Sequence, residues 1–315
     1  MDAPLTADAI NQAQLGFESS LQDRLFIDTV STTANADLLP NASVVRLQIL
    51  LDQHGISPGV VDGFDGENVR KAITAVQQMY NLPLDGQLSD EVLAAVETGA
   101  QVIGTYLVTA EDEAGVVAPI PSDYAEMAQL EFLGYESVPE ALSERFHMDI
   151  DLLRTLNPDA SFRAGETILV AITGENREGQ ATQIIADKTM RQVRAYDAEG
   201  RLLAAYPATI GSEDNPSPTG TYTVEQATPM PNYTYNPRIN FQQGENTEVL
   251  TIPPGPNGPV GSMWIALSKP TYGIHGSPEP SLIDKTGSHG CIRLTNWDAE
   301  ELATMVQAGV TVTFL

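Results

Sequence analysis

A chain of 315 residues with 42% hydrophobic content is long enough for two or three domains, and no stretch of it approaches the roughly 20 apolar residues that span a bilayer. Its 16 basic against 42 acidic residues leave a formal charge of −26, a surface that repels polyphosphate and excludes nucleic acid as an expected partner. The single cysteine excludes an intramolecular disulfide, and the opening MDAPLTADAINQAQ shows no basic run leading into an apolar one, the pattern of a secretory leader.

Residues 1–42 read as a partly helical N-terminal segment, helical over about Ala7 to Val30 and then polar, with no chemistry assigned to it. From Ser43 the pattern sharpens. Leu47, Leu50 and Leu51 share one face of a helix that ends near Gly55, before the turn-rich ISPGVVDGFDG. A second helix carries Val69, Ala72, Ile73, Val76 and Met79 at spacings of three and four. Leu82-Pro-Leu-Asp-Gly86 breaks it, and Ser89 caps a third short helix with Val92, Leu93 and Val96. This predicts a three-helix domain over 43–100. The Asp62-Gly63 and Asp85-Gly86 pairs supply the positive φ of its turns. A calcium loop does not fit, because Asp62, Asp65 and Glu67 lack alternating ligand spacing.

Residues 101–125, with their VVAPIPSDY run, read as a linker. A small α/β module follows over 126–174, with short helices at Val138 to Phe146 and Ile150 to Leu156 between strand-like ends. His147 is expected at an exposed helix end, without a role. The polar TGENREGQA, residues 173–181, is a second linker. Beyond it, strand-like runs TQIIAD, MRQVRAYD, RLLAAYPATIG, TGTYTVEQ, SMWIALSK and VTVTFL alternate with turns, and one helix falls near Asp298 to Gln307. The fold class is thus a multidomain α+β chain whose C-terminal part, 181–315, is mostly β.

Two of the four histidines fall within sixteen residues of the only cysteine, in Tyr272-Gly-Ile-His275-Gly276 and Ser288-His289-Gly290-Cys291-Ile292-Arg293. A thiol at its ordinary pKa is only a few per cent thiolate at neutral pH, so a nucleophilic Cys291 requires a base beside it. His275 ends an apolar strand-like segment, and a loop of this length can return the chain so that thiol and imidazole meet. Gly290 allows a sharp turn that presents amide N–H groups to an oxyanion. Arg293, two residues on, shares the direction of Cys291 in an extended run and can support a thiolate or hold a carboxylate. Other readings stay open: His275, His289 and Cys291 as zinc ligands, an inert core cysteine, or His289 as the base with His275 structural.

The segment resembles the active-site signature of the YkuD-type L,D-transpeptidases, in which His-Gly precedes Ser/Thr-His-Gly-Cys by about a dozen residues and Arg or Asn follows. The likeness covers 181–315. Asn215-Pro-Ser-Pro-Thr-Gly220 is similar to the family's TPTG turn, with Ser217 in place of its first threonine, and the run Ile252 to Gly261 is similar to the Pro-Gly-rich stretch before its YGIHG strand. The resemblance implies that Cys291 attacks the carbonyl between an L-centre and a D-residue of a wall tetrapeptide, expelling D-alanine, with His275 as base. It implies an oxyanion hole at Gly290 and Cys291, a pocket shaped by Ser288 and His289, and Arg293 on a substrate carboxylate. Gly276, Tyr272, Trp264 and Met263 are carried with it as substrate-binding positions. No cofactor and no metal is expected. Residues 43–97 resemble the small peptidoglycan-binding domain of bacterial wall enzymes. The 126–174 module resembles a LysM unit through Ser143-Glu-Arg-Phe146, Leu156-Asn-Pro158 and Ala164-Gly165-Glu166. The implied partners are peptidoglycan and, as acyl acceptor, a second stem peptide or a wall-anchored protein. The implied location is periplasmic or wall-associated. Two alternatives share the sequence: an L,D-carboxypeptidase or amidase in which water resolves the acyl-enzyme, and a non-catalytic wall-binding adaptor.

Overall fold

The structure, a computed structural model, describes residues 5–15, 39–212, 216–239, 241–288 and 290–315. Helix α1 (Ala7–Asn11), capped by the Thr6 hydroxyl, is shorter than the sequence suggests: the chain leaves it at Gln12, and the rest of the expected helix, from residue 16, lies outside the described residues. Asn11 gives the segment a structural task. Its Oδ1 accepts from the N–H groups of Val102 and Ile103 at 2.8 and 2.9 Å, and Ile10 beside it is fully buried.

Helices α2 (Ala42–Gln53), α3 (Glu67–Met79) and α4 (Asp90–Val96) follow. Asn41 Oδ1 accepts from the N–H groups of Ser43 and Val44, and Ser89 Oγ from that of Val92, so α2 and α4 each begin on a side-chain cap. Helix α2 is buried from Val44 to Leu51 because it runs through the middle of the unit, with Val69, Ala72, Ile73 and Val76 of α3 closing on it. Each Asp-Gly turn is gripped by a buried glutamine. Gln48 Oε1 accepts from the N–H groups of Asp62 and Gly63 at 3.1 and 2.8 Å, while its Nε2 donates to Asp62 Oδ1 at 2.8 Å. Gln77 repeats the pattern on Asp85 and Gly86 at 3.1 and 2.9 Å, donating to Asp85 Oδ1 at 2.6 Å.

Strand β1 (Ile103–Leu107) pairs antiparallel with β2 (Thr167–Ala171), Ile103 opposite Ala171. Between them lie α5 (Ala110–Ala114), α6 (Tyr124–Met127), α7 (Val138–Arg145) and α8 (Ile150–Leu156). The stretch 101–125 is therefore not a bare linker: it carries β1, all of α5 and the start of α6. The N-terminus of α5 is a capping box between Thr109 and Asp112.

The C-terminal part is a nine-stranded sheet of β3 (Gln183–Asp187), β4 (Gln192–Tyr196), β5 (Leu202–Pro207), β6 (Thr209–Ile210), β7 (Gly220–Pro229), β10 (Met263–Leu267), β11 (Gly273–His275), β12 (Ile292–Arg293) and β13 (Thr311–Phe314). Its order is β5-β4-β3-β13-β7-β10-β11-β12-β6, antiparallel except at β3–β13 and β11–β12. Strands β8 (Tyr233–Tyr235) and β9 (Leu250–Ile252) form a separate hairpin. Helix α9 (Asn296–Met305) packs on β10 and β11.

One buried cluster runs from Ile10 through α2, α3 and β2 to Tyr196, Leu202 and Ala205 of the sheet, so the three parts share a core. The segment after α2 is stitched to both neighbours. Ser57 N–H donates to Ala205 O at 2.9 Å, and Val61 N–H to His147 O at 2.8 Å. His147 is not an idle exposed residue: its Nδ1 lies 2.9 Å from Asp52 Oδ2, and its ring stacks on Trp297 at 5.0 Å and 10°. Among the described residues, no helix is long and apolar enough to cross a membrane.

Candidate active site

Strands β11 and β12 run parallel, with Ile274 opposite Ile292 and His275 opposite Arg293. Both isoleucines are fully buried. Side chains alternate along a strand, so His275 and Arg293 share the face opposite the isoleucines, and Cys291 sits in the bend that leads directly into β12. The antiparallel neighbour β10 puts Trp264 opposite His275, and the two rings stack at 5.5 Å and 23°.

His275 is 4% exposed, and its Nδ1 lies 2.7 Å from the carbonyl oxygen of Gly276. A carbonyl accepts only, so this nitrogen carries the proton and Nε2 keeps its lone pair. Burial, joined by the Arg293 guanidinium, lowers the pKa of the ring to about 4, against the carbonyls of Gly276 and Val260, which favour the imidazolium. At neutral pH the ring is an uncharged base. Burial also pushes the Cys291 thiol above its ordinary value, opposed by the Gly273 backbone N–H and Arg293, which favour the thiolate. The resting pair is thus thiol and imidazole, not an ion pair. Cys291 is half-buried, and its Sγ donates to Thr271 O at 3.7 Å.

The turn that carries the thiol is held by two buried hydroxyls. Ser217 Oγ donates to Gly290 O at 2.7 Å. Ser288 Oγ donates to Cys291 O at 2.6 Å and accepts from Gly211 N–H at 2.8 Å, while Ser288 N–H donates to Gly211 O at 3.0 Å. Gly290 sits at φ 106°, and a Cβ there would lie 3.1 Å from the Tyr272 ring, so the position is closed to side chains twice over. Ser288 and Gly276, expected at the substrate, are turned inward. The serine hydroxyl is committed to backbone, and Gly276 is packed so tightly on Asn296 that a Cβ would fall 2.2 Å from its Oδ1. Met263 is likewise buried, its carbonyl accepting from Gly276 N–H at 3.1 Å. Tyr272 and Trp264 are half-buried beside the pair. His289 and Asn215 lie outside the described residues.

Arg293 is half-buried, and among the described residues its guanidinium has no hydrogen bond or ion pair with another side chain. Its field reaches Cys291, His275 and two tyrosines that sequence reasoning missed, Tyr233 of β8 and Tyr124 of α6. Burial pushes Tyr124 up to about 12 and raises Tyr233 further, in both cases against Arg293. The Tyr124 ring meets Tyr233 and Tyr235 edge-on at 6.0 and 5.3 Å. Segment 122–124 is sewn to the 241–246 loop: Gln243 Nε2 donates to Ser122 O at 2.9 Å, and Asn246 Nδ2 to Asp123 Oδ2 at 3.0 Å. The part of the chain expected as linker is thus fastened to the β8–β9 hairpin and its loop.

Residues 181–314 match the family model described as the YkuD L,D-transpeptidase catalytic domain, and residues 40–96 match that of a peptidoglycan-binding domain. The L,D-transpeptidase YkuD of Bacillus licheniformis is 30% identical over 176 residues, covering 55% of this chain and 90% of that protein. Its namesake in Bacillus subtilis is 35% identical over 175 residues, with the same two coverages. The chain belongs to the YkuD family of L,D-transpeptidases, with a peptidoglycan-binding domain ahead of the catalytic one. Among solved structures, L,D-transpeptidase 1 of Mycobacterium tuberculosis overlaps 48% of this chain and 67% of that chain at 16% identity and a TM-score of 0.33.

Proposed function

We propose that this chain is a cysteine-dependent L,D-transpeptidase acting on peptidoglycan stem tetrapeptides through a thioester. What supports the reading is the parallel register of β11 and β12, which sets a buried, uncharged His275 opposite Arg293, two residues after the sole cysteine.

Cys291 Sγ attacks the carbonyl of the L-centre while His275 Nε2 takes the thiol proton. Because the resting thiol is protonated and the ring uncharged, proton transfer and attack proceed together rather than from a stored thiolate. Charge collects on the former carbonyl oxygen, where the backbone N–H groups of the Gly290-Cys291 turn are the candidate donors. The imidazolium then protonates the departing nitrogen of D-alanine, the C–N bond breaks, and a thioester on Cys291 remains. An amine of a second stem peptide, or of a wall-anchored protein, attacks that carbonyl and gives its proton to His275; the C–S bond breaks and the imidazolium returns the proton to the departing Cys291 sulfur. Arg293 pairs with a substrate carboxylate, and Tyr124, Tyr233, Tyr272 and Trp264 wall the groove. His289 is carried as a pocket residue from the family pattern alone.

The 40–96 domain, and the β1–β2 unit read as LysM-like, tether the enzyme to its polymer. Tethering raises the effective concentration of the scarce amine against water, which a transferase needs. The substrate lies outside the cytoplasm, so the chain is exported, periplasmic or wall-associated. Incubation with purified tetrapeptide muropeptides tests the reading by product mass. Cross-linked dimers are expected. Tripeptide monomers alone would mean that water resolves the acyl-enzyme, and unchanged substrate would leave a wall-binding adaptor.

A further inference from the structure

Asp284 lies between the two halves of the motif, on the path from His275 to Cys291, and its side chain is 4% exposed. Lys71 of α3, 5% exposed, meets it with Nζ 2.7 Å from Oδ2. Both charges are out of solvent, and they come from different domains, 213 residues apart. Arg191, in the turn between β3 and β4, adds Nε at 2.8 Å from Asp284 Oδ1 and donates through Nη1 to Asp284 O at 3.0 Å. Glu67, one turn before Lys71, closes the ring, 3.3 Å from Lys71 Nζ and 2.6 Å from Arg191 Nη2. Two cations balance two anions, and removing either buried member leaves the other with only a half-exposed partner, Arg191 for Asp284 and Glu67 for Lys71.

The ring ends on the loop that delivers the nucleophile. Asp284 sits at φ 70°, a left-handed conformation that a non-glycine residue holds only where its surroundings impose it. Its N–H donates to Thr209 Oγ1 at 2.9 Å. Thr209 lies in β6, opposite Arg293 of β12, and two residues on Gly211 exchanges two hydrogen bonds with Ser288, whose hydroxyl holds Cys291 O. Short polar contacts, joined by the backbone from Thr209 to Gly211, therefore run from Lys71 to the carbonyl of Cys291.

We propose that Lys71, in the peptidoglycan-binding domain, is a positioning residue for the nucleophile, fixing through Asp284 the loop that sets Cys291 against His275. This rests on the reading of Cys291 as nucleophile under Proposed function. It also gives the N-terminal domain a part in the reaction besides tethering: whatever moves α3 moves the loop.

The test uses the full chain with Lys71→Met, Asp284→Asn and the double variant, each checked by near-UV circular dichroism for a native fold. Acylation by a carbapenem and alkylation of the single cysteine by iodoacetamide, from about pH 5 to pH 10, are both followed by intact mass. In each folded single variant acylation falls roughly 10- to 100-fold, the cost of a misplacement near 1 Å. The alkylation midpoint moves away from the wild-type value as the sulfur changes both its burial and its distance from Arg293 and the Gly273 N–H. The double variant falls no further than the worse single one. A folded variant with both wild-type acylation and a wild-type midpoint overturns the proposal, and Asp284→Asn decides if Lys71→Met does not fold. If the wild-type chain takes no carbapenem, the proposed reaction fails, and the alkylation midpoint alone then decides for or against Lys71.

Discussion

The neutral imidazole makes a prediction that an ordinary histidine base would not. With its pKa lowered to about 4 by burial, His275 is only about one-tenth protonated at pH 5, where a ring titrating near 6.5 would be about 97% protonated. Carbapenem acylation at pH 5 should therefore keep about nine-tenths of its neutral-pH rate and halve only near pH 4. Trp264, stacked on the ring, supplies a fluorescence signal for stopped-flow measurement from about pH 3.5 to pH 7.5. A companion effect falls on stability. Between about 6.5 and 4 the unfolded chain binds a proton that the folded ring refuses, so the folded state weakens as pH falls, by about 3 kcal/mol at pH 4. Urea midpoints of wild type and His275→Gln, compared over that window, isolate the contribution. An acylation midpoint near 6.5, or pH slopes identical in the two proteins, would refute the argument that burial keeps this base uncharged.

Ser288→Ala removes a hydroxyl that satisfies both Gly211 N–H and Cys291 O, at about 1–3 kcal/mol for each buried group left unpaired. Urea unfolding should lose about 2–6 kcal/mol and acylation about tenfold, and a stable, fully active variant would contradict the role given to the turn. Arg293→Gln removes the charge proposed to pair with a substrate carboxylate, an interaction of about 1.5–3 kcal/mol. The KM for a tetrapeptide donor should rise roughly 10-fold or more, with kcat less affected, and an unchanged KM would remove Arg293 from substrate binding.

Much of the chemistry was local and so legible. His275 and Cys291 each adjoin a glycine within one short segment, and the need of a thiol for a base follows from pKa alone. The helices of the 40–96 region announced themselves by apolar spacing and by their Asp-Gly turns. What escaped the sequence was whatever depends on partners far along the chain. Strand β1 looked like linker because its pairing partner, β2, lies across the whole unit. Gln48 and Gln77 carry no signal of their own in the sequence, because the turns their amides grip lie outside their helices. Ser288 and Gly276 sit in the motif and suggested substrate contact, but motif membership does not tell a residue that faces the groove from one that braces the turn behind it. Tyr124 and Lys71 carry no pattern of their own. Each matters through contacts with distant parts of the C-terminal domain, and such contacts leave no periodicity to read.

The central claim is that Cys291 carries the acyl group while His275 moves the proton. It is tested most directly by acid-quenching the chain in turnover with a tetrapeptide muropeptide and mapping the bound acyl mass. The account predicts a tripeptide-acyl adduct on Cys291, one D-alanine released per adduct, and neither in folded Cys291→Ala. Release of D-alanine by Cys291→Ala, or an adduct on another residue of the wild-type chain, would contradict it.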